Sequence, residues 1–96
     1  TMQKFNQLIQ KLFPDVYEQG ILLADGFENA FMGIGWQFTR PVAIYDRNKC
    51  IDILINRDGM NIDEAEEYFE YNVQGAYVGE DTPIFMEKLP ETNQLH

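Results

Sequence analysis

Phe5, Leu8, Ile9, Leu12 and Phe13 recur at helical spacing with Lys4, Asn6, Gln7, Gln10 and Lys11 between them. The chain therefore opens with an amphipathic helix over about residues 3–13, ended by Pro14. Pro14 to Gly20 reads as a connector, and the apolar run Ile21 to Ala24 fits either a short strand or a helical turn. From Ala30 the period changes to two: Ala30, Met32, Ile34, Trp36 and Phe38 alternate with Phe31, Gly33, Gly35 and Gln37. That is strand periodicity, broken at Arg40-Pro41, with Val42 to Tyr45 as the return arm of a hairpin spanning about 30–45.

Asp46 can cap a helix over about 47–58 in which Cys50, Ile51, Leu54 and Ile55 share a face, and Gly59 suits the left-handed residue that closes it. Asn61 caps the next helix, about 61–74, with Glu64 three residues on completing a capping-box pairing. Its buried stripe reads Ile62, Ala65, Tyr68, Phe69 and Val73. Gly75 to Thr82 has no periodicity and is a loop, Pro83 to Met86 is a last strand placed at an edge by its proline, and the tail frays from about residue 90. The order predicts a single α+β domain over 1–96: a small antiparallel sheet of three or four strands with two to three helices packed on one face.

Composition fits an ordered domain. Hydrophobic residues make up 45% of the chain and aromatic residues 14%, more apolar content than acidic disordered segments carry. A single cysteine, Cys50, excludes an intramolecular disulfide framework and makes a reducing, cytoplasmic setting the expectation. The apolar runs are too short to span a bilayer, so no membrane partner is expected. Charge changes the picture more. Through Arg57 six acids balance six bases, whereas from Asp58 onward ten acids face only Lys88, and that imbalance is the whole net charge of −9. An acidic half of this kind favours a basic partner surface and argues against direct nucleic-acid binding, because it repels phosphates instead of releasing their counterions.

Familiar catalytic sets lack parts. The chain contains no serine and one histidine, His96, which leaves Ser-His-Asp and Cys-His catalysis without members. Cys50 lies on the apolar stripe with Ile51, Leu54 and Ile55 and reads as a small buried hydrophobe. One cysteine and no histidine cluster argue against zinc. A calcium loop registered on Gly59 fails where its carboxylates matter, with Leu54 at the first ligand position and Ala65 at the last. Residues 47–73 resemble a helix-turn-helix, but the second helix presents Asp63, Glu64, Glu66, Glu67 and Glu70 where a DNA reader needs basic or amide side chains. Gly33-Ile34-Gly35 lacks the third glycine of a nucleotide loop, and no helix opens after it. Asp25 with Glu28, or Glu67 with Glu70, supplies paired carboxylates without a neighbour to separate an acid from a base.

The strongest surface signal is the run Asp63-Glu64-Ala65-Glu66-Glu67-Tyr68-Phe69-Glu70-Tyr71. Acids in a first turn complement the helix dipole, which accounts for Asp63 and Glu64. Glu67 and Glu70 lie further along, where like charges at i, i+3 and i+4 repel, and Tyr71 falls off the buried stripe. The loop that follows carries Tyr77, Glu80 and Asp81 between glycines and is longer than a plain connector requires.

The segments Asp25-Gly26-Phe27-Glu28, Tyr45-Asp46, Lys49-Cys50-Ile51, Arg57-Asp58-Gly59-Met60, Glu64-Ala65-Glu66-Glu67-Tyr68-Phe69, Tyr71-Asn72, Gly75-Ala76-Tyr77-Val78-Gly79-Glu80 and Thr82-Pro83-Ile84-Phe85 resemble a small uncharacterised protein family of bacteriophages and related genomes. The resemblance covers about residues 25–86 and leaves out the N-terminal helix. It brings no reaction, ligand or catalytic residue, and implies a phage-encoded accessory protein acting on host machinery in the host cytoplasm. The resulting expectation is a small acidic, non-enzymatic module with no cofactor or metal. It would bind a basic protein surface through Glu66, Glu67, Glu70, Tyr71, Tyr77, Glu80 and Asp81. Two alternatives stand beside it: a nucleic-acid mimic inhibiting a host defence nuclease, and a small Mg²⁺-dependent enzyme using Asp25, Glu28 or nearby carboxylates.

Overall fold

The computed structural model describes residues 2–90, so the tail expected to fray lies outside the described residues save for Pro90. The chain runs through α1 (Met2–Leu12), α2 (Pro14–Gln19), a 3₁₀ turn (Glu28–Ala30), β1 (Phe31–Gln37), β2 (Arg40–Asp46), α3 (Arg47–Asp58), α4 (Ile62–Phe69), a π-helical turn (Glu70–Gln74) and β3 (Ile84–Met86). It is an α+β fold, as the alternation of periods predicts.

The sheet is mixed. Its order is β1-β2-β3, with the hairpin β1-β2 antiparallel and β3 parallel to β2, where the sequence predicts an all-antiparallel sheet. The cause is the connection: the chain leaves β2, crosses through α3 and α4 and returns in the same direction, which a parallel neighbour needs. Pro14 does end α1, but it also occupies the first turn of α2, where its missing N–H costs nothing, so the expected connector 14–20 is largely helical. Gly20, at φ +86°, then closes α2. Ile21 to Ala24 forms neither strand nor helix, although Ile21, Leu23 and Ala24 pack against the core.

β2 passes into α3 without a loop. Asp46, the last strand residue, accepts the Lys49 backbone N–H at 3.2 Å and so caps the helix. At the other end Gly59, at φ +72°, lets its own N–H and that of Met60 reach the last carbonyls of α3. α4 opens with the reciprocal Asn61–Glu64 capping box. Its buried residues are Ala65 and Phe69; Ile62 is 59% exposed and Tyr68 is also exposed, so the apolar stripe is narrower than the sequence suggests.

The core joins Phe27, Ala30, Ala43, Tyr45, Cys50, Ile51, Leu54, Ala65 and Phe69. A chain of ring contacts crosses it: Phe5–Phe31, Phe31–Tyr45, Tyr45–Phe85, Phe85–Phe69 and Phe69–Phe27, with centroids 5.1–6.2 Å apart. All but the tilted Tyr45–Phe85 pair are edge-to-face, an arrangement that adds about 0.5–1.5 kcal/mol per pair beyond area burial. Successive strand residues point to opposite faces, so Val42, also buried, must be covered from the side away from Ala43 and Tyr45. The centre of β2 is thus buried on both of its sides. The Tyr45 hydroxyl accepts the Ala24 N–H at 2.8 Å, and burial pushes its pKa up to about 12 despite that bond.

Candidate functional site

α4 passes into the π turn at Glu70, and this transition shapes the acidic surface. The Gly75 N–H reaches the Glu70 carbonyl five residues back at 2.9 Å. A side chain at Gly75 could not be placed there, because a Cβ would sit 2.6 Å from that same carbonyl oxygen. Asn72 Nδ2 donates to the Tyr68 carbonyl at 3.2 Å, tying the turn back to the last turn of α4. Single π turns inside α-helices often lie at functional sites. Here the turn leaves Tyr71 84% exposed beside a shallow depression lined by Glu64, Glu67, Tyr68, Tyr71 and Asn72.

The seven residues expected at the interface do not form one patch. Glu66 and Glu67 are exposed on α4 and hold no ion pair among the described residues. Glu70, though exposed, is paired with Arg47. The Arg47 Nη2 donates to its Oε1 at 3.0 Å, while Arg47 Nε donates to Gln74 at 2.9 Å and the guanidinium lies over the Phe69 ring. Glu80 and Asp81 both engage Arg40, at 2.9 and 2.7 Å. Tyr77 and Glu80 line a depression at the hairpin end with Gln37 and Arg40, whereas Asp81 faces another with Gln19, Ile21 and Pro41. The acidic loop is thereby bound to the start of β2. Thr82 closes it on itself, its N–H bonding to Gly79 and its hydroxyl accepting the Val78 N–H.

Asp25 and Glu28 are also separated. Asp25 lines a largely apolar groove of about 360 Å³ with Leu22, Phe27, Val73, Val78 and Phe85. Glu28 accepts the Gly26 N–H at 3.0 Å and lines a different depression, against Lys49, Asp52 and Arg57 of α3. Arg57 holds the segment in place, donating to the Gly26 carbonyl at 2.7 Å. Among the described residues no group of three or more His, Cys, Asp or Glu side chains could hold a metal ion. Cys50 is buried, and desolvation, with the nearby Asp46 charge adding to it, pushes its thiol up to about 12. No helix among the described residues is long and apolar enough to cross a membrane.

Exposed aromatics on the hairpin are the surface that sequence reasoning misses. Trp36 is 58% exposed and Phe38 96% exposed, although both belong to the alternating apolar set that the sequence reads as one strand face. Phe38 sits in the two-residue turn with φ +58°, a conformation rare for a bulky residue. The available signal was the charge map, since no charged residue occurs from Asn29 to Thr39.

No protein-family model, curated protein or solved structure matches this chain.

Proposed function

We propose that the protein is a non-enzymatic binding module that takes a basic protein surface on the outer side of α4. The observation that carries this reading is Tyr71, a large aromatic left almost wholly exposed beside Glu64 and Glu67. Aromatic anchors rimmed by charge are the usual makeup of an interface that is steered electrostatically. Glu66 and Glu67, free of ion pairs among the described residues, supply the field. Glu70, Glu80 and Asp81 contribute less, because Arg47 is paired with the first and Arg40 with the other two. Tyr77, 75% exposed, lines the separate depression at the hairpin end and lies outside this contact. The resemblance to phage sequences favours a host protein as the partner and the host cytoplasm as the setting.

The test is affinity capture from phage-infected extract with the wild type, Glu66→Lys/Glu67→Lys and Tyr71→Ala, each checked by circular dichroism. A partner held by the wild type and lost by both folded variants supports the reading. Equal capture by all three overturns it. Displacement of that partner by duplex DNA or RNA would instead mark the chain as a nucleic-acid mimic.

A further inference from the structure

β1 is an edge strand of seven residues, and after Phe31, whose N–H reaches the Glu28 carbonyl, the outward side of its backbone has no hydrogen-bond partner among the described residues. Sheet edges are normally protected by shortness, proline, charge or bulges. The opposite edge shows such protection: β3 has three residues, follows Pro83 and runs into Glu87 and Lys88. β1 has a single bulge at its start, where the register shifts between Phe31 and Gly33, so Gly33 to Gln37 stays regular. Met32, Trp36 and Phe38 stand exposed along it.

We infer that this edge is a self-association surface, on which two copies pair β1 with β1 antiparallel about a two-fold axis at Gly35 to make one six-stranded sheet. Charge leaves this edge the surface most open to a second copy. At −9, two chains repel wherever their acidic faces meet, and the eleven residues Asn29 to Thr39 are the longest uncharged stretch in the sequence. The edge is also self-complementary. An axis at Gly35 sets Ile34 opposite the partner's Trp36 and Trp36 opposite the partner's Ile34, an aromatic–β-branched pair of the stabilising kind. It also brings Phe38 toward the partner's Met32, a favourable sulfur–aromatic combination. The isologous geometry closes at two chains. Pairing at this edge is independent of the role given to α4.

The experiment is sedimentation velocity on the intact chain from 1 µM to 500 µM, at low and at 0.5 M salt. Trp36 is the sole tryptophan, so its emission reports the same event. Expected is a monomer–dimer equilibrium accompanied by a blue shift of Trp36. Salt should strengthen it several-fold, the opposite of its effect on an acidic face binding a basic partner. Trp36→Asp and Gln37→Asp, each placing a charge at the seam, should weaken dimerisation at least tenfold with the circular dichroism unchanged. Two variants guard against one failing to fold. A single-chain mass throughout, or a dimer indifferent to both substitutions, overturns the inference; so does association with a different protein's strand while the chain alone stays monomeric.

Discussion

Arg40 Nη1 donates to Asp81 Oδ1 at 2.7 Å, joining the first residue of β2 to a loop 41 positions later. With Glu80 at 2.9 Å on the other terminal nitrogen, one guanidinium holds both loop acids. The contact is exposed, so its main effect is on the loop's mobility and not on global stability. Arg40→Ala is expected to leave the melting temperature nearly unchanged while amide exchange across Tyr77 to Asp81 quickens. Unaltered exchange there would mean that the Gly79–Thr82 turn orders the loop alone.

What the sequence makes legible is what is local. Asp46 and Gly59 mark both ends of α3, and Asn61 with Glu64 marks the start of α4, because capping depends on residues three or four apart. The direction of β3 is not local. It follows from the length of the crossover through two helices, which hydrophobic period does not report. The π turn is equally hidden, since it depends on Gly75 approaching the Glu70 carbonyl. For the candidate site, exposure of Glu66, Glu67 and Tyr71 follows from helix period. The diversion of Glu70, Glu80 and Asp81 to internal arginines does not, because those partners lie 23 to 41 residues away. Trp36 and Phe38 mislead for a related reason: alternation identifies one face of a strand but not whether a helix covers it.

Alkaline pH should destabilise the fold in two overlapping steps. Burial raises Cys50 from 9.0 to about 12 and Tyr45 from 10.0 to about 12. Above pH 9 the unfolded chain therefore releases protons that the folded chain retains, so stability falls as pH rises. The contribution is fully present below pH 9 and is lost progressively up to about pH 12. Denaturant midpoints at pH 7, 9, 10 and 11 should decline, and Cys50→Ala should flatten the part between 9 and 10. At neutral pH, thiol reagents should label Cys50 only as fast as the protein opens. Rapid labelling of the folded chain would contradict its burial.

Phe38 occupies a left-handed position that costs a bulky L-residue about 1–2 kcal/mol, and being 96% exposed it gains little packing in return. Glycine removes that strain but adds about 0.5–1 kcal/mol of unfolded-state entropy. Phe38→Gly should therefore stabilise the monomer by roughly 0.5 kcal/mol, the difference between those two terms. An increased urea midpoint with an unchanged m-value is the expected reading. A lower midpoint would show that the ring makes contacts worth more than the strain.

Three glutamates within five residues of one another should respond very differently to charge reversal. Glu66 and Glu67 lie on the solvent side of α4, so Glu66→Lys and Glu67→Lys are each expected to shift stability by about 0.5 kcal/mol or less. Glu70 instead faces Arg47, whose side chain is only 14% exposed and whose guanidinium rests over Phe69. Glu70→Lys removes a charge-assisted acceptor and places a like charge against a partly buried cation. Because Glu70 itself is 62% exposed, screening limits the loss to about 1 kcal/mol. Chemical denaturation of the three single variants measures this directly. Binding to a basic partner should follow the reverse order, falling most for Glu66→Lys and Glu67→Lys and least for Glu70→Lys. Equal stability losses at all three positions would place Arg47 in solvent and return Glu70 to the interface.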